Sequence, residues 1–165
     1  VEVSVAGIEA SDLHLRPFLR SDEDEVTTWF PDAGAVRFFA GTRMTWPLDS
    51  QQWQGIRDDP RISAWTAVLR DLPAPVGHGQ IEEESASVIR VARIAIAPSQ
   101  RGQGLGRTLI MRLIERGRVG GHSLAIVDVH PDNLTAIRGY RGLGFEPTSG
   151  SGQRGTLRMQ LSLLP

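Results

Sequence analysis

With 165 residues, 40% of them hydrophobic and 22% charged, the chain is sized for one domain over residues 1–165 with a core of its own. A net charge of −1 gives no reason to expect nucleic acid or an anionic membrane as partner, and no apolar run approaches the ~18 residues of a membrane span. The lack of cysteine excludes disulfides, thiolate metal sites and an acyl-cysteine intermediate, and because all 18 basic residues are arginine there is no lysine side chain for the protein to acylate on itself.

Leu13-His14-Leu15-Arg16-Pro17-Phe18 alternates and predicts a first strand. Ser21-Asp22-Glu23-Asp24 opens a helix with its acids first, expected to reach Phe30 and Pro31. Residues 31–60 are less regular but rich in large apolar groups, among them Phe38, Phe39, Trp46 and Trp53. Asp49-Ser50 can cap a short helix through Ile56. This region packs as a second helical element, forms one wall of a substrate pocket, or does both. Strands are predicted over 62–69 and 76–81, with Asp71-Leu72-Pro73-Ala74-Pro75 as the turn between them. Glu82-Glu83-Glu84-Ser85 reads as another turn. Val88 to Ile96 is a long apolar strand suited to the centre of a sheet.

Pro98 ends that strand, and glycines follow at 102, 104 and 106. Helical spacing then begins at Leu105 and continues through Leu109, Ile110, Leu113 and Ile114. Glycine lets the backbone take positive φ and lets a ligand approach it closely. The first N–H groups of the helix lack internal partners and carry the positive end of its dipole, so an anion, above all a pyrophosphate, is expected there. The candidate seat is Arg101, Gly102, Gln103, Gly104, Leu105, Gly106 and Arg107, with the two arginines placed to pair with phosphate oxygens. Taken alone, three glycines also suit a plain strand-to-helix turn. A P-loop needs a lysine that is absent, and a dinucleotide turn needs Gly-x-Gly-x-x-Gly, a different spacing.

Arg101, Gly104 and Gly106 meet the pattern Arg/Gln-x-x-Gly-x-Gly/Ala, so this loop resembles the acyl-CoA pyrophosphate loop of the GNAT superfamily of N-acetyltransferases. Further on, Gly120-Gly121 stops the helix, Leu124 to Val129 reads as a buried strand, and Asp132 or Asn133 can cap a helix after Pro131. Asn133, Ala136 and Tyr140 share one face of that helix. On the residues alone Tyr140 is an interfacial aromatic whose hydroxyl finds a partner. With Gly144 and Phe145 these residues fill Asn-x-x-Ala-x-x-x-Tyr-x-x-x-Gly-Phe, which resembles the second GNAT motif and follows the first in the family's order. Pro147 to Gly155 reads as a glycine- and serine-rich hairpin loop and Thr156 to Leu163 as the last strand.

The resemblance implies an α/β (α+β) fold in which a mixed, splayed central sheet is flanked by helices on both faces. The sheet would open between the strand ending at Ile96 and the strand ending at Val129. Acetyl-CoA is the implied cofactor, its pantetheine along the backbone of Ile94, Ala95 and Ile96, its pyrophosphate on residues 101–107, and Asn133 counted among its binding residues. The implied reaction is acetyl transfer to a primary amine, of a small molecule or a peptide N-terminus, by direct attack in a ternary complex. Tyr140 matches the tyrosine that protonates the departing thiolate. Some members carry a glutamate on the central strand where this chain has Arg90, so the base is sought in Glu82, with His78, Asp128, His130 or a chain of water as alternatives. An acyl-CoA-binding sensor without turnover is the alternative function, and a nucleotide-binding module shares only the glycine loop. No metal, nucleic-acid or membrane partner is expected, a homodimer and a longer acyl group stay open, and the absence of a recognisable signal peptide points to the cytoplasm.

Overall fold

Runs of β-branched and aliphatic residues dictate the strands, and the computed structural model, which describes residues 12–165, gathers them into one sheet. The first eleven residues of the expected domain lie outside the described residues. The strands are β1 (Leu13–Pro17), β2 (Ile62–Leu69), β3 (Leu72–Glu83), β4 (Val88–Ile96), β5 (Leu124–Val129), β6 (Glu146–Ser151) and β7 (Leu157–Ser162). Their spatial order is β1-β2-β3-β4-β5-β7-β6, with every neighbouring pair antiparallel except β4 and β5. A parallel step requires a crossover, and α4 (Leu105–Val119) supplies it.

Helices cover both faces, as expected. On one face lie α1 (Glu23–Thr27), α2 (Ala33–Ala40) and α3 (Ser50–Asp58), whose Val26, Phe39 and Trp53 pack with Phe18, Ala95 and Ala97. On the other, α4 and α5 (Leu134–Gly142) press Leu105, Leu109, Leu113 and Tyr140 onto Val91, Ala125 and Val127. The glycines of β3 let α4 come close: a Cβ at Gly79 would stand 2.7 Å from Leu113 Cδ1 and 2.9 Å from Ile94 Cδ1. Side-chain caps set the starts of α2 and α3, where Asp32 accepts from the Ala35 N–H at 2.8 Å and Asp49 from the Gln52 N–H at 2.9 Å. Among the described residues no helix is long and apolar enough to cross a membrane.

Four local expectations are corrected. The first helix is short, a 3-10 turn at Arg20–Asp22 followed by α1, which stops at Thr27 instead of Phe30. Val26, Thr27 and Thr28 are β-branched, and the Thr28 hydroxyl bonds back to the Glu25 carbonyl at 2.6 Å. Residues 72–75 belong to β3, because the β2–β3 ladder shifts register between Ala67 and Leu69 and the two prolines fall opposite that irregularity. Glu82 and Glu83 are strand too, paired with Arg90 and Ile89, the arginine neutralising what reads as a solvated turn. The expected loop 147–155 contains most of β6, whose Pro147 pairs with Met159 at the sheet edge.

Candidate active site

β4 and β5 share a ladder only where Val88, Ile89 and Arg90 meet Leu124, Ala125 and Ile126. Beyond Arg90 the strands part, and an opening of about 1320 Å³ lies between and beside them. Ala95 pairs with His78, and the Ala97 N–H donates to the Val76 carbonyl at 2.9 Å. Alternation along the strand therefore turns the N–H and C=O of Ile94 and Ile96 away from β3 and into the gap.

The glycine loop closes one end. Gly102 and Gly104 both have φ of +78°, and a Cβ on either would meet nothing within 4 Å. Gly104 is the N-cap of α4, and among the described residues the N–H groups of Leu105, Gly106 and Arg107 have no acceptor. Bare backbone donors at a helix start, with open space before them, fit a pyrophosphate. The two arginines expected to help instead hold protein carbonyls: Arg101 Nε donates to Ile96 O at 3.1 Å and Arg107 Nη1 to Gly142 O at 3.0 Å. The first bond braces the end of β4 and the second joins the start of α4 to the end of α5. Gln103 donates to the Gln100 side chain at 3.4 Å. Asn133 lines the opening and caps α5, its Oδ1 accepting from the Ala136 N–H at 3.2 Å.

Tyr140 also lines the opening, 9% exposed and edge-on to Phe145 at 5.5 Å. Burial pushes its phenol up to about 12, so it keeps its proton at neutral pH.

The candidate bases are placed very differently from one another. Glu82 is not among the residues lining the opening; its Oε2 accepts from Arg93 Nη2 at 3.0 Å, and Arg90 and Arg61 stand 3.7 and 3.8 Å from its other oxygen. His78 is fully buried among the rings of Phe18, Phe39 and Trp53, and that burial lowers its pKa to about 3. Asp128 lines the opening but accepts from Arg158 Nε and Nη2 at 2.8 and 2.9 Å, with Arg90 Nε 3.2 Å away. His130 lines it too, its ring 5.3 Å from Phe38 and its Nδ1 accepting from the Asp132 N–H at 3.1 Å. Arg90, standing where a glutamate was sought, gathers Asp128 and, at 2.8 Å, Glu84.

The expected pocket wall from residues 31–60 is met in part by α2, and a second segment that the sequence did not point to joins it. Arg37 and Phe38 from α2, and Gln153, Arg154 and Thr156 from the turn before β7, border the opening. Phe38, one of the large apolar residues named for that wall, is 52% exposed, while its neighbour Phe39 is buried.

Residues 22–145, which include both the glycine loop and Tyr140, match the family described as acetyltransferase (GNAT) family. The chain belongs to this family. Within it, the chain is similar to the mycothiol acetyltransferases of Mycobacterium ulcerans, at 39% identity over 131 residues, and of Mycobacterium marinum, at 30% over 135. Each alignment takes in 73% of this chain, which spans only 34% of the length of either relative. Among solved structures, the spermidine N-acetyltransferase of Vibrio cholerae in complex with CoA and spermine has the same fold, at a TM-score of 0.74 over 93% of this chain and 96% of that one, with 18% identity. The splayed sheet of this chain is thus an architecture it shares with that structure.

Proposed function

We propose that this protein transfers the acetyl group of acetyl-CoA to a primary amine by direct attack in a ternary complex. The observation that carries this reading is the parting of β4 from β5 beyond Arg90, with the backbone of Ile94 and the Ile96 N–H facing the gap, the Ile96 carbonyl held by Arg101, and unpartnered N–H groups at its end. When bound, acetyl-CoA supplies an activated thioester carbonyl. Ile94 and Ile96 hold the pantetheine arm as a strand would, and residues 102–107 hold the pyrophosphate. The Ile96 N–H is the donor for the developing oxyanion. Tyr140 delivers its phenolic proton to the departing thiolate. Glu82 and Asp128 are both engaged by arginine, so Glu82 positions Arg93, and the amine loses its proton to water in the opening. The chain has no cysteine to carry an acyl group, which supports transfer with both substrates bound together.

Thiol release from acetyl-CoA with a panel of amines tests the reading, alongside calorimetric titration of acetyl-CoA. Initial-rate lines should intersect. Parallel lines, or acetyl label retained on the denatured protein, would contradict direct transfer.

A further inference from the structure

Val127 and Val129 point into the core beneath α4 and α5, so Asp128 and His130 point to the opposite face. Two segments meet them there. The turn before β7 lies over Asp128, where a Cβ at Gly152 would stand 2.5 Å from Oδ1, and α2 sets Phe38 against the His130 ring. This is the side of the opening away from α4, where an acceptor would enter.

Its charge is one-sided. Eight arginines line the opening, and among the described residues Asp128 is its one carboxylate, already engaged by Arg158 and Arg90. Glu82 and Glu84 are matched by Arg93 and Arg90, and Arg43 is matched by Asp59 at 3.1 Å. On the acceptor side this leaves Arg37 and Arg154, neither with a side-chain partner in the hydrogen-bond and ion-pair network of the described residues. Arg154 sits at φ +49°, in the left-handed region that a non-glycine residue occupies at a cost and that recurs at ligand-contacting turns. His130 adds a donor: with Nδ1 accepting from the Asp132 N–H, Nε2 is the ring nitrogen left to donate.

We propose that Arg37, Arg154 and His130 form a carboxylate seat, so that the amine acetylated here carries its own carboxylate, as an α-amino acid does. This rests on the acetyltransferase reading above. The seat would orient the amine toward the gap between β4 and β5 while the carboxylate pairs with arginine. The same positive surroundings disfavour the ammonium form of the amine, which eases its deprotonation by water in a site whose own carboxylates are engaged. A polyamine would meet arginine where it needs acid.

Thiol release at saturating acetyl-CoA should be compared across α-amino acids, dipeptides with acidic side chains, the methyl esters of both, the decarboxylated amines and spermidine. A carboxylate-bearing amine should be used, with kcat/KM for its ester lower by at least about tenfold, the loss of one charge-assisted hydrogen bond. Arg37→Gln and Arg154→Gln should raise KM for the acid and bring the acid-to-ester ratio toward 1, with Arg37→Lys recovering part of the preference. Equal use of acid and ester, preference for spermidine, or no turnover of any carboxylate-bearing amine by protein that binds acetyl-CoA would overturn the seat while leaving the cofactor assignment standing. Failure to bind acetyl-CoA in calorimetry would remove the acetyltransferase reading and the seat with it.

Discussion

Arg90 and Asp128 face each other across the point where β4 and β5 separate, Nε 3.2 Å from Oδ2. Arg90 is the last β4 residue to pair with β5, and Asp128 lies two residues past its partner Ile126. The ion pair therefore spans the fork of the sheet, with the guanidinium 7% exposed and the carboxylate 9%. With the Gln153 amide turned to present its oxygen, both Arg90 amines lie 3.1 Å from it, which also fastens the turn before β7 to the fork.

Removing Arg90 should therefore loosen the fork. Breaking a buried pair leaves an uncompensated charge, typically worth about 3–5 kcal/mol. Asp128 keeps Arg158 and Glu82 keeps Arg93, so Arg90→Leu should cost less, about 2–3 kcal/mol in urea unfolding. Adding Asp128→Asn to Arg90→Leu should restore part of it, with a coupling of about 1 kcal/mol or more in the double-mutant cycle. Strict additivity would mean the two side chains stabilise the fork independently.

At Gly104 the space before the backbone is open, so a side chain would meet ligand and not protein. Gly104→Val should lower acetyl-CoA affinity by at least about tenfold, and its positive φ adds a cost of about 1–2 kcal/mol to folding. Gly55, inside α3 and equally free of neighbours but without positive φ, provides the contrast: Gly55→Ala should stabilise by about 0.5–1 kcal/mol and leave the affinity alone. Calorimetry and urea titration of both variants decide it; unchanged affinity in Gly104→Val would detach the loop from cofactor binding.

The elements that build the fork were legible because each rests on local physics. β4 and β5 are mainly apolar runs, broken only by Arg90, Arg93 and Asp128, α4 starts at a glycine cap, and α5 starts where Asn133 bonds the Ala136 N–H. The misreadings share a cause, since a tertiary partner decides each. Pro73 and Pro75 are tolerated only because a register shift in β2 lies opposite, and Glu82 is strand because arginines of β4 stand beside it. In the site, the open backbone of 102–107 was expected from the glycine spacing and the helix start, whereas Tyr140 was pointed to only by the resemblance of its motif. What Arg101 and Arg107 hold could not be read there, nor could the meeting of Arg37 with Arg154 at one opening, because those depend on where distant segments end in space.

His78 ties stability to pH. Held neutral by burial, with a pKa of about 3 against about 6.5 in the unfolded chain, it takes no proton when folded across the interval where the unfolded state takes one. Stability from this residue is full above about 6.5 and falls as pH drops toward 3, by at most about 1.4 kcal/mol per unit. Between pH 7 and 5, before most carboxylates titrate, that amounts to about 2 kcal/mol. His78→Phe keeps an aromatic ring among Phe18, Phe39 and Trp53 and should flatten this part of the curve relative to the wild type. Equal slopes in urea unfolding at the two pH values would mean that His78 can be protonated in place.

Tyr140 is the one tyrosine in the chain, so its ionisation can be read directly from tyrosinate absorbance. Buried against Phe145, the phenol should titrate near 12, and the folded state should lose stability as pH rises from about 10 through that value. Tyr140→Phe keeps the ring contact, so stability at pH 7 and acetyl-CoA affinity should change little. Turnover should fall by at least about tenfold, since a positioned general acid contributes ~10²–10⁴ and water replaces part of it. The loss should appear in kcat more than in KM, because the proton matters only as the thiolate forms. In the wild type the rate should rise with pH as the amine deprotonates and hold a plateau to about pH 10, with no decline from Tyr140 ionising below that. Wild-type turnover by Tyr140→Phe, measured where chemistry limits the rate, would make Tyr140 a packing residue of the α5 face and leave protonation of the thiolate to solvent.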